Sequence, residues 1–302
     1  MPHGLTANEG DEDALEGGLR PARGSASLAQ GGAKAPRGLK PVLQSVFNRA
    51  RSSGARLREC DSLTFMTIQV PSPGGGEFSA YMALPRKGKG PGVVVVQEIF
   101  GVTESLRKVC DWLASRQFTA IVPDLYWRTD PGIKLSESEG EKARAIRAKT
   151  DDLLASDDAA AALDFLRKHE ACTGKVAVVG YCWGGMIAYL TAARHNPDAA
   201  VGYYGVGIDK RLDLAKNLSC PLMLHFAEKD QFAPPAVVAQ VRDELKSDSR
   251  AVIWEYPGVG HAFARPGGAH FDARAADLAD MRTLSFLVEK LFGNRQFASP
   301  TY

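Results

Sequence analysis

Strand-like apolar runs alternate with helix-like segments from residue 63 onward, and this alternation constrains the fold more than any other feature of the sequence. Residues 93–96 are consecutive valines, a pattern that suits a strand covered on both faces. The alternation predicts an α/β protein with a mostly parallel, doubly wound sheet. Residues 63–70 and 78–84 flank the turn sequence PSPGGG, which predicts an antiparallel hairpin ahead of that sheet. The other strands are predicted at 92–97, 119–122, 175–181, 199–204, 222–226 and 251–256.

Helices are predicted between these strands and after the last one. Their spans are 103–116, two stretches within 136–169, 183–195, 235–247 and 274–292. In open sheets of this kind, ligands bind outside the carboxyl ends of the parallel strands. Polar residues that directly follow a predicted strand are therefore the first candidates for a functional site.

Composition and charge exclude several classes of protein. Of 302 residues, 45% are hydrophobic and 24% are charged, which is typical of a soluble globular protein. A net charge of +2 gives no electrostatic reason to expect binding to nucleic acid or to an anionic membrane. The sequence has no apolar run long enough to span a bilayer. Its 5 cysteines form no CxxC pair, which favours a reducing compartment, so we expect a cytoplasmic protein.

The first 58 residues differ in composition from the rest of the chain. Residues 1–38 are rich in Gly, Ala, Ser and charge and show no periodicity, which predicts a disordered leader over 1–58 and a folded domain over 59–302. Residues 41–51 could form one short amphipathic helix, so a segment that docks a partner is the alternative interpretation. Early acidic residues and the lack of an apolar region argue against a secretory signal.

The strongest local signal is the sequence GYCWGG at residues 180–185, which lies between a buried strand and a helix. It fits the G-x-nucleophile-x-G elbow, with Cys182 in the place of the usual serine. The helix that begins at Trp183 points its positive end at the sulfur and favours the thiolate. The backbone amide of Trp183 is also a candidate oxyanion donor. The alternative is a buried structural cysteine beside a glycine turn.

A nucleophilic cysteine needs a base and an acid that orients it. In elbow hydrolases the chain order is nucleophile, acid, histidine. Asp230 follows the strand at 222–226, and His261 follows the strand at 251–256, so both are predicted at the same edge as Cys182. Glu228 competes with Asp230 for the role of the acid. His225 lies within its strand, so we expect it to be a core histidine or to support the site indirectly.

Two further strand ends carry polar residues. Glu98 and Ile99 follow the valine-rich strand, where a carboxylate needs a partner or a function and where the Ile99 amide is the candidate second oxyanion donor. Arg128 follows the next strand, and Arg265 stands four residues past the histidine. These two arginines could hold a carboxylate by bidentate contacts, while a surface salt bridge is the alternative for each. Tyr126 is a candidate pocket residue.

The chain resembles the dienelactone hydrolase (carboxymethylenebutenolidase) family from about residue 61 to 292. The motifs that carry the resemblance are PSPGGG at 71–76, QEIFG at 97–101, PDLY at 123–126, GYCWGG at 180–185 and GHAFAR at 260–265. Several motifs in the same order are specific, whereas any one of them is not. The resemblance implies an α/β-hydrolase fold and a monomer.

The resemblance also implies roles for individual residues. It implies a triad of Cys182, His261 and Asp230, and a Glu98 carboxylate that helps to activate the thiol when substrate binds. The two substrate-carboxylate arginines map to Arg128 and Arg265. The reaction implied is hydrolysis of an enol-lactone, dienelactone, to maleylacetate. The family pattern has a serine after the catalytic histidine, where this sequence has Ala262.

The sequence therefore predicts a hydrolase that cleaves an enol-lactone or activated ester through a thioester, with a small and anionic substrate. No HExxH or similar metal-ligand spacing and no glycine-rich phosphate loop occurs, so no metal or cofactor is expected. A carboxylesterase of other specificity and a non-catalytic binding protein of the same fold are the alternatives. A thiol redox sensor is a further alternative function, in which Cys220 would be the resolving thiol for Cys182.

Overall fold

The structure is a computed structural model that describes residues 63–293. The predicted leader at 1–58 lies outside the described residues, as do 59–62 and 294–302. Among residues 63–293, no helix is both long and apolar enough to cross a membrane.

In the described part of the chain, eight strands form one sheet in the spatial order β1-β2-β4-β3-β5-β6-β7-β8. The pairs β1–β2 and β2–β4 are antiparallel, and all the other neighbouring pairs are parallel. The strands are β1 (Phe65–Pro71), β2 (Glu77–Ala83), β3 (Gly90–Val96), β4 (Thr119–Pro123), β5 (Cys172–Tyr181), β6 (Ala199–Tyr203), β7 (Leu222–Ala227) and β8 (Ala251–Tyr256).

Within residues 63–293, six α-helices connect and flank the strands. They are α1 (Glu104–Ala114), α2 (Gly140–Arg147), α3 (Asp152–Lys168), α4 (Trp183–Arg194), α5 (Pro235–Leu245) and α6 (Ala273–Leu287), and α6 continues into a π-helical turn, Val288–Phe292. The fold prediction is confirmed: the sheet is mostly parallel, it has helices on its faces, and it opens with an antiparallel hairpin.

Burial along the strands explains why their sequences differ. Every residue of the valine-rich β3 is buried, as are all residues of β4, β6 and β7, because helices cover both faces of these central strands. The edge strand β1 exposes most of its residues and shows no continuous apolar run. The core of the described residues therefore lies around β3 and β5, and the carboxyl ends of these strands emerge from it.

One segment between strands escapes the sequence prediction. Residues Ile208–Asn217 form 3₁₀ turns with a kink at Arg211, where no element is predicted. Short 3₁₀ turns repeat every three residues and change course within a few of them. They therefore leave no 3.6-residue periodicity in the sequence.

Candidate active site

Cys182 occupies a strained turn between β5 and α4, with φ 56° and ψ −119°. Non-glycine residues rarely adopt such a backbone, and strain of this kind gathers at functional sites. The turn is possible because its neighbours are glycines. A Cβ on Gly180 would lie 1.8 Å from the Gly184 carbonyl oxygen, and a Cβ on Gly184 would lie 2.5 Å from the carbonyl oxygens of Val96 and Gln97. The packing of the elbow against β3 therefore fixes the position of the thiol.

The thiol lies in a cavity of about 700 Å³ at the carboxyl edge of the sheet. Cys182 is largely buried, with 8% of its surface exposed. The walls are mostly apolar and aromatic, with charged side chains at several points. The lining residues include Ile99, Phe100, Glu137, Gly140, Arg144, Arg147, Trp183, Val206, Lys229, Phe232, His261, Ala262 and Arg265. Such a cavity suits a small organic molecule with a few polar groups.

His261 links the thiol to a buried carboxylate. Its Nδ1 lies 2.8 Å from Asp230 Oδ2, which leaves the other ring nitrogen for the hydrogen bond to Cys182. The other carboxylate oxygen of Asp230 accepts from the amides of Phe232, at 2.8 Å, and Ala233, at 3.2 Å. Asp230 is thus held rigidly, and it fixes the orientation of the imidazole.

The electrostatics of this group favour a charged histidine. Burial alone disfavours the imidazolium, but the charge of Cys182 and the hydrogen bond and charge of Asp230 outweigh it and raise the pKa of His261 to about 10. His225 shows the opposite result. It is fully buried between Tyr256 and Thr283, and burial lowers its pKa to about 3, with Arg282 adding to that effect.

The structure separates the candidate acids and histidines. Glu228 is exposed and accepts a hydrogen bond from the Gly258 amide, so it does not contact His261. His225 lies in the core, as its position within a strand predicts. His195 follows the end of α4 and contacts Asp157 at 3.0 Å. Of these groups, only Asp230 orients a histidine beside the thiol.

The two candidate oxyanion donors flank the thiol. Trp183 is the first residue of α4, and Ile99 lies in the turn after β3. Neither backbone amide donates a hydrogen bond to another described residue outside the helices and strands. Tyr126 contacts both of these residues: its hydroxyl donates to the Ile99 carbonyl at 3.1 Å, and its ring stacks on the Trp183 indole with centroids 5.4 Å apart. Tyr126 is fully buried behind the wall and so braces this part of the site.

Glu98 and Arg265 form a bidentate ion pair beside the cavity. Arg265 Nε donates to Glu98 Oε2 at 2.7 Å, and Nη2 donates to Oε1 at 2.9 Å. The remaining nitrogen, Nη1, lies 2.7 Å from Glu137 Oε1. Glu98 is 3% exposed, and its carboxylate charge raises the pKa of Arg265 against the effect of burial. The site therefore contains an arginine that lines the cavity and currently binds two carboxylates of the chain itself.

The structure does not bring Arg128 to the cavity or to Arg265. Its guanidinium pairs with Asp158, donates to Ser72 Oγ at 2.9 Å and lies over the Trp127 ring at 4.2 Å. The Asp158 side chain has no exposed surface, so the pair fills a polar gap between α3 and the β1–β2 hairpin. Of the two arginines predicted to bind a carboxylate together, Arg265 lines the cavity and Arg128 does not.

Comparison with known proteins places this geometry in a family. The model of the dienelactone hydrolase family matches residues 78–291. The chain belongs to the dienelactone hydrolase family. Carboxymethylenebutenolidase 1 of Cupriavidus pinatubonensis is 37% identical over 223 residues, which cover 73% of this chain and 95% of that protein. The carboxymethylenebutenolidase of Pseudomonas sp. (strain P51) is 38% identical over 225 residues, with 73% and 93% covered.

A solved structure agrees with the sequence relatives. The crystal structure of a putative dienelactone hydrolase from Klebsiella pneumoniae is 30% identical, with a TM-score of 0.68, and the match covers 76% of this chain and 99% of that one. The described domain of this chain therefore has the same fold as that putative dienelactone hydrolase.

One position distinguishes this member of the dienelactone hydrolase family from the pattern stated for the family above. Ala262, in place of a serine, is buried with φ 64° and lines the cavity without a hydroxyl. The indole of Trp183 forms part of the wall, where its Nε1 donates to Asp152 Oδ1 at 3.0 Å. The guanidinium carbon of Arg147 lies over the same indole, 4.7 Å from the centroid of the Trp183 ring.

Sequence reasoning missed several residues of the site. Tyr204 is fully buried, its ring lies 5.0 Å from that of His261, and its hydroxyl has no hydrogen-bond partner among the described residues. Its position directly after β6 is the signal that could have found it. Arg144 and Arg147 line the cavity from α2, and nothing in their spacing separates them from a solvated helix face.

The cysteines argue against a disulfide at the elbow. The four cysteines among residues 63–293 are all free. Cys220 precedes the amino end of β7, whereas Cys182 follows the carboxyl end of β5, and these strands run parallel through β6. The two thiols lie at opposite edges of the sheet, roughly 15–20 Å apart at about 3.3 Å per strand residue. A disulfide needs Cα atoms within about 7 Å, so Cys220 cannot resolve an oxidised Cys182.

Proposed function

We propose that the chain hydrolyses an enol-lactone or activated ester that carries a carboxylate, with Cys182, His261 and Asp230 as a catalytic triad. The observation that carries this proposal is that His261 bridges the strained elbow cysteine and a buried, immobilised carboxylate inside a cavity. The relatives named carboxymethylenebutenolidase support dienelactone as the first substrate to test.

Acylation begins with transfer of the thiol proton to His261. The raised pKa of His261 favours this thiolate–imidazolium pair. The thiolate attacks the carbonyl carbon, and the amides of Trp183 and Ile99 donate to the oxyanion. The C–O bond then breaks, the enolate or alkoxide takes the proton from the imidazolium, and a thioester to Cys182 remains.

Deacylation uses the same residues in reverse. Neutral His261, oriented by Asp230, takes a proton from water as the hydroxide attacks the thioester carbonyl. The tetrahedral intermediate collapses, the thiolate leaves, and the imidazolium again pairs with it. The carboxylic acid product leaves as a carboxylate, so the enzyme returns to its starting charge.

The Glu98–Arg265 pair gives the substrate carboxylate a role in this reaction. A carboxylate that enters the cavity competes with Glu98 for the guanidinium of Arg265, because both offer the same bidentate geometry. The displaced Glu98 carboxylate then relays the thiol proton of Cys182 to His261. Thiolate formation is thereby coupled to binding of an anionic substrate.

The test is the hydrolysis of dienelactone and a panel of aryl esters by the wild type and by Cys182→Ala. We expect activity to fall by at least about 10⁴-fold in the variant, as removal of a triad nucleophile does in related chemistry. Cys220→Ala is the matched control, since it removes a buried thiol at the other edge of the sheet, and it should keep wild-type kcat/KM. Mass spectrometry of the wild type quenched during turnover should show an acyl adduct on Cys182.

The outcomes separate the alternatives. Turnover of aryl esters without turnover of dienelactone keeps the triad and points to a carboxylesterase of other specificity. No turnover of any ester, with a ligand still bound in the cavity, would support a non-catalytic binding protein. Full activity in Cys182→Ala would contradict the mechanism.

A further inference from the structure

One face of helix α2 lines the cavity. Gly140, Arg144 and Arg147 stand at spacings of four and three residues, so they share one side of the helix, and all three border the cavity. Ala143 and Ile146 are buried on the side that packs into the protein. Gly140 adds no side chain to this face and so leaves space beside the Arg144 guanidinium. The helix thus presents two arginines to the same space as Cys182.

Arg147 is held firmly within this wall. It pairs with Asp152 and donates to the Thr150 carbonyl at 3.1 Å, and its guanidinium lies 4.7 Å from the Trp183 ring. Asp152 also accepts from the Trp183 indole, so one carboxylate fixes both the arginine and the aromatic wall. Arg147 is therefore a positioned charge, with two of its five N–H donors engaged by Thr150 and Asp152.

Arg144 has no such partner. It is exposed toward the cavity side, and within residues 63–293 it forms no salt bridge and no side-chain hydrogen bond. The two other arginines of the cavity are paired, Arg265 with Glu98 and Glu137 and Arg147 with Asp152. Lys229 also lines the cavity and, among the described residues, forms no salt bridge, but it lies on the loop after β7 and not on α2. The α2 wall therefore carries positive charge that the chain does not neutralise, and such a wall attracts anions.

We propose that Arg144, with Arg147 beside it, binds a second carboxylate of the substrate. This inference rests on the proposed function, in which Arg265 takes the first carboxylate near the reacting carbonyl. The substrate class is then a lactone or ester with two carboxylates. A cavity of about 700 Å³ has room for such a molecule, because sites of roughly 300–1,000 Å³ hold ligands of drug size.

Two matched esters test the kinetic consequence. Mono-4-nitrophenyl succinate carries one carboxylate, and mono-(4-carboxyphenyl) succinate carries two. Arg144→Gln should lower kcat/KM for the second ester about 10-fold, mainly through KM, and change the first by less than about 2-fold. Lys142→Gln is the control, because it removes a positive charge from the same helix at a position that does not line the cavity. It should alter neither ester.

A binding measurement keeps the test independent of catalysis. By titration calorimetry, hexanedioate should bind the wild type about 10-fold more tightly than hexanoate, and Arg144→Gln should remove that difference while Lys142→Gln keeps it. Equal binding of the two acids, or equal losses on both esters, would overturn the second carboxylate site and leave the Cys182 chemistry intact. Tighter hexanedioate binding in a protein that cleaves no ester would keep the site and reject the proposed reaction.

Discussion

Two carboxylate–arginine pairs in this molecule have the same chemistry and different surroundings. Glu98 with Arg265 lies beside the cavity, and Asp158 with Arg128 lies under the N-terminal hairpin. Both carboxylates are buried. Ser72 and Trp127 also donate to Asp158, whereas Glu98 accepts only from its arginine among the described residues.

The difference teaches what makes an ion pair available for function. Four donor contacts satisfy both oxygens of Asp158, and it does not line the cavity, so exchange of its partner would leave several buried donors unsatisfied. Arg265 lines the cavity, so an incoming carboxylate can take the place of Glu98 on a guanidinium that stays paired, and the only group released is the Glu98 carboxylate. We call Asp158–Arg128 the closed pair and Glu98–Arg265 the open pair. We expect the closed pair to govern stability and the open pair to govern activity.

The largest effect is expected from Asp158→Ala. The substitution leaves Arg128, Ser72 and the Trp127 indole without their acceptor, so the free energy of unfolding should fall by about 3–5 kcal/mol. Urea denaturation followed by circular dichroism measures it. At a temperature where the variant is folded, kcat/KM should stay within about 3-fold of the wild type. A large loss of activity in a variant of normal stability would remove the distinction between the two pairs.

The open pair lies beside a histidine whose charge depends on the thiol. In Cys182→Ala the charge and hydrogen bond of the sulfur are gone, while burial and Asp230 remain, so the pKa of His261 should fall from about 10 toward its ordinary value. A drop of about two units is expected, at about 1.4 kcal/mol for each unit. ¹⁵N NMR of the imidazole gives the titration curve. His225, with a pKa of about 3, should stay neutral above pH 5 in both proteins and serves as the internal control.

Glu98→Gln tests the open pair directly. The amide keeps the shape but cannot act as a base for the thiol, so kcat/KM for an anionic substrate should fall about 100-fold. Glu137 still pairs with Arg265, so the loss of stability should be smaller than in Asp158→Ala. Steady-state kinetics and urea denaturation on the same preparation give both numbers. An unchanged kcat/KM would mean that Glu98 only neutralises Arg265.

The smallest effect compares two indole hydrogen bonds. Trp127→Phe removes the 2.9 Å bond to Asp158, and Trp183→Phe removes the 3.0 Å bond to Asp152 in the cavity wall. Each bond to a charged group contributes about 1.5 kcal/mol. We expect Trp127→Phe to lower only the unfolding free energy, and Trp183→Phe to change KM as well. Equal effects on KM would show that the wall is insensitive to this tether.

The positions of the strands along the chain and the elbow could be predicted because they depend on local pattern. Consecutive valines over 93–96 and the glycines around Cys182 each have one physical interpretation, a covered strand and a tight turn. Asp230 and His261 follow from the same logic, since each lies in the loop after a strand of the parallel sheet. Glu228 could not be excluded in this way, because it follows the same strand as Asp230.

Other parts of the site depend on contacts between distant segments. Arg128 and Arg265 look alike in sequence, and only the packing of α3 brings Asp158, thirty positions away, against the first of them. Arg144 and Arg147 are ordinary helix arginines until the fold places α2 beside the cavity that contains Cys182. No local pattern encodes either fact.

The sequence alone determined the fold class, the family and the chain order of the proposed nucleophile, acid and histidine, because each depends on residues near one another or on the regular succession of strands. The tertiary structure decided which arginine lines the cavity, which carboxylate contacts His261 and which helix places arginines beside the aromatic wall. Those choices depend on which side chains the packing leaves without a partner inside the protein. A group already satisfied stabilises the fold, and a group left beside a cavity is available to bind a substrate.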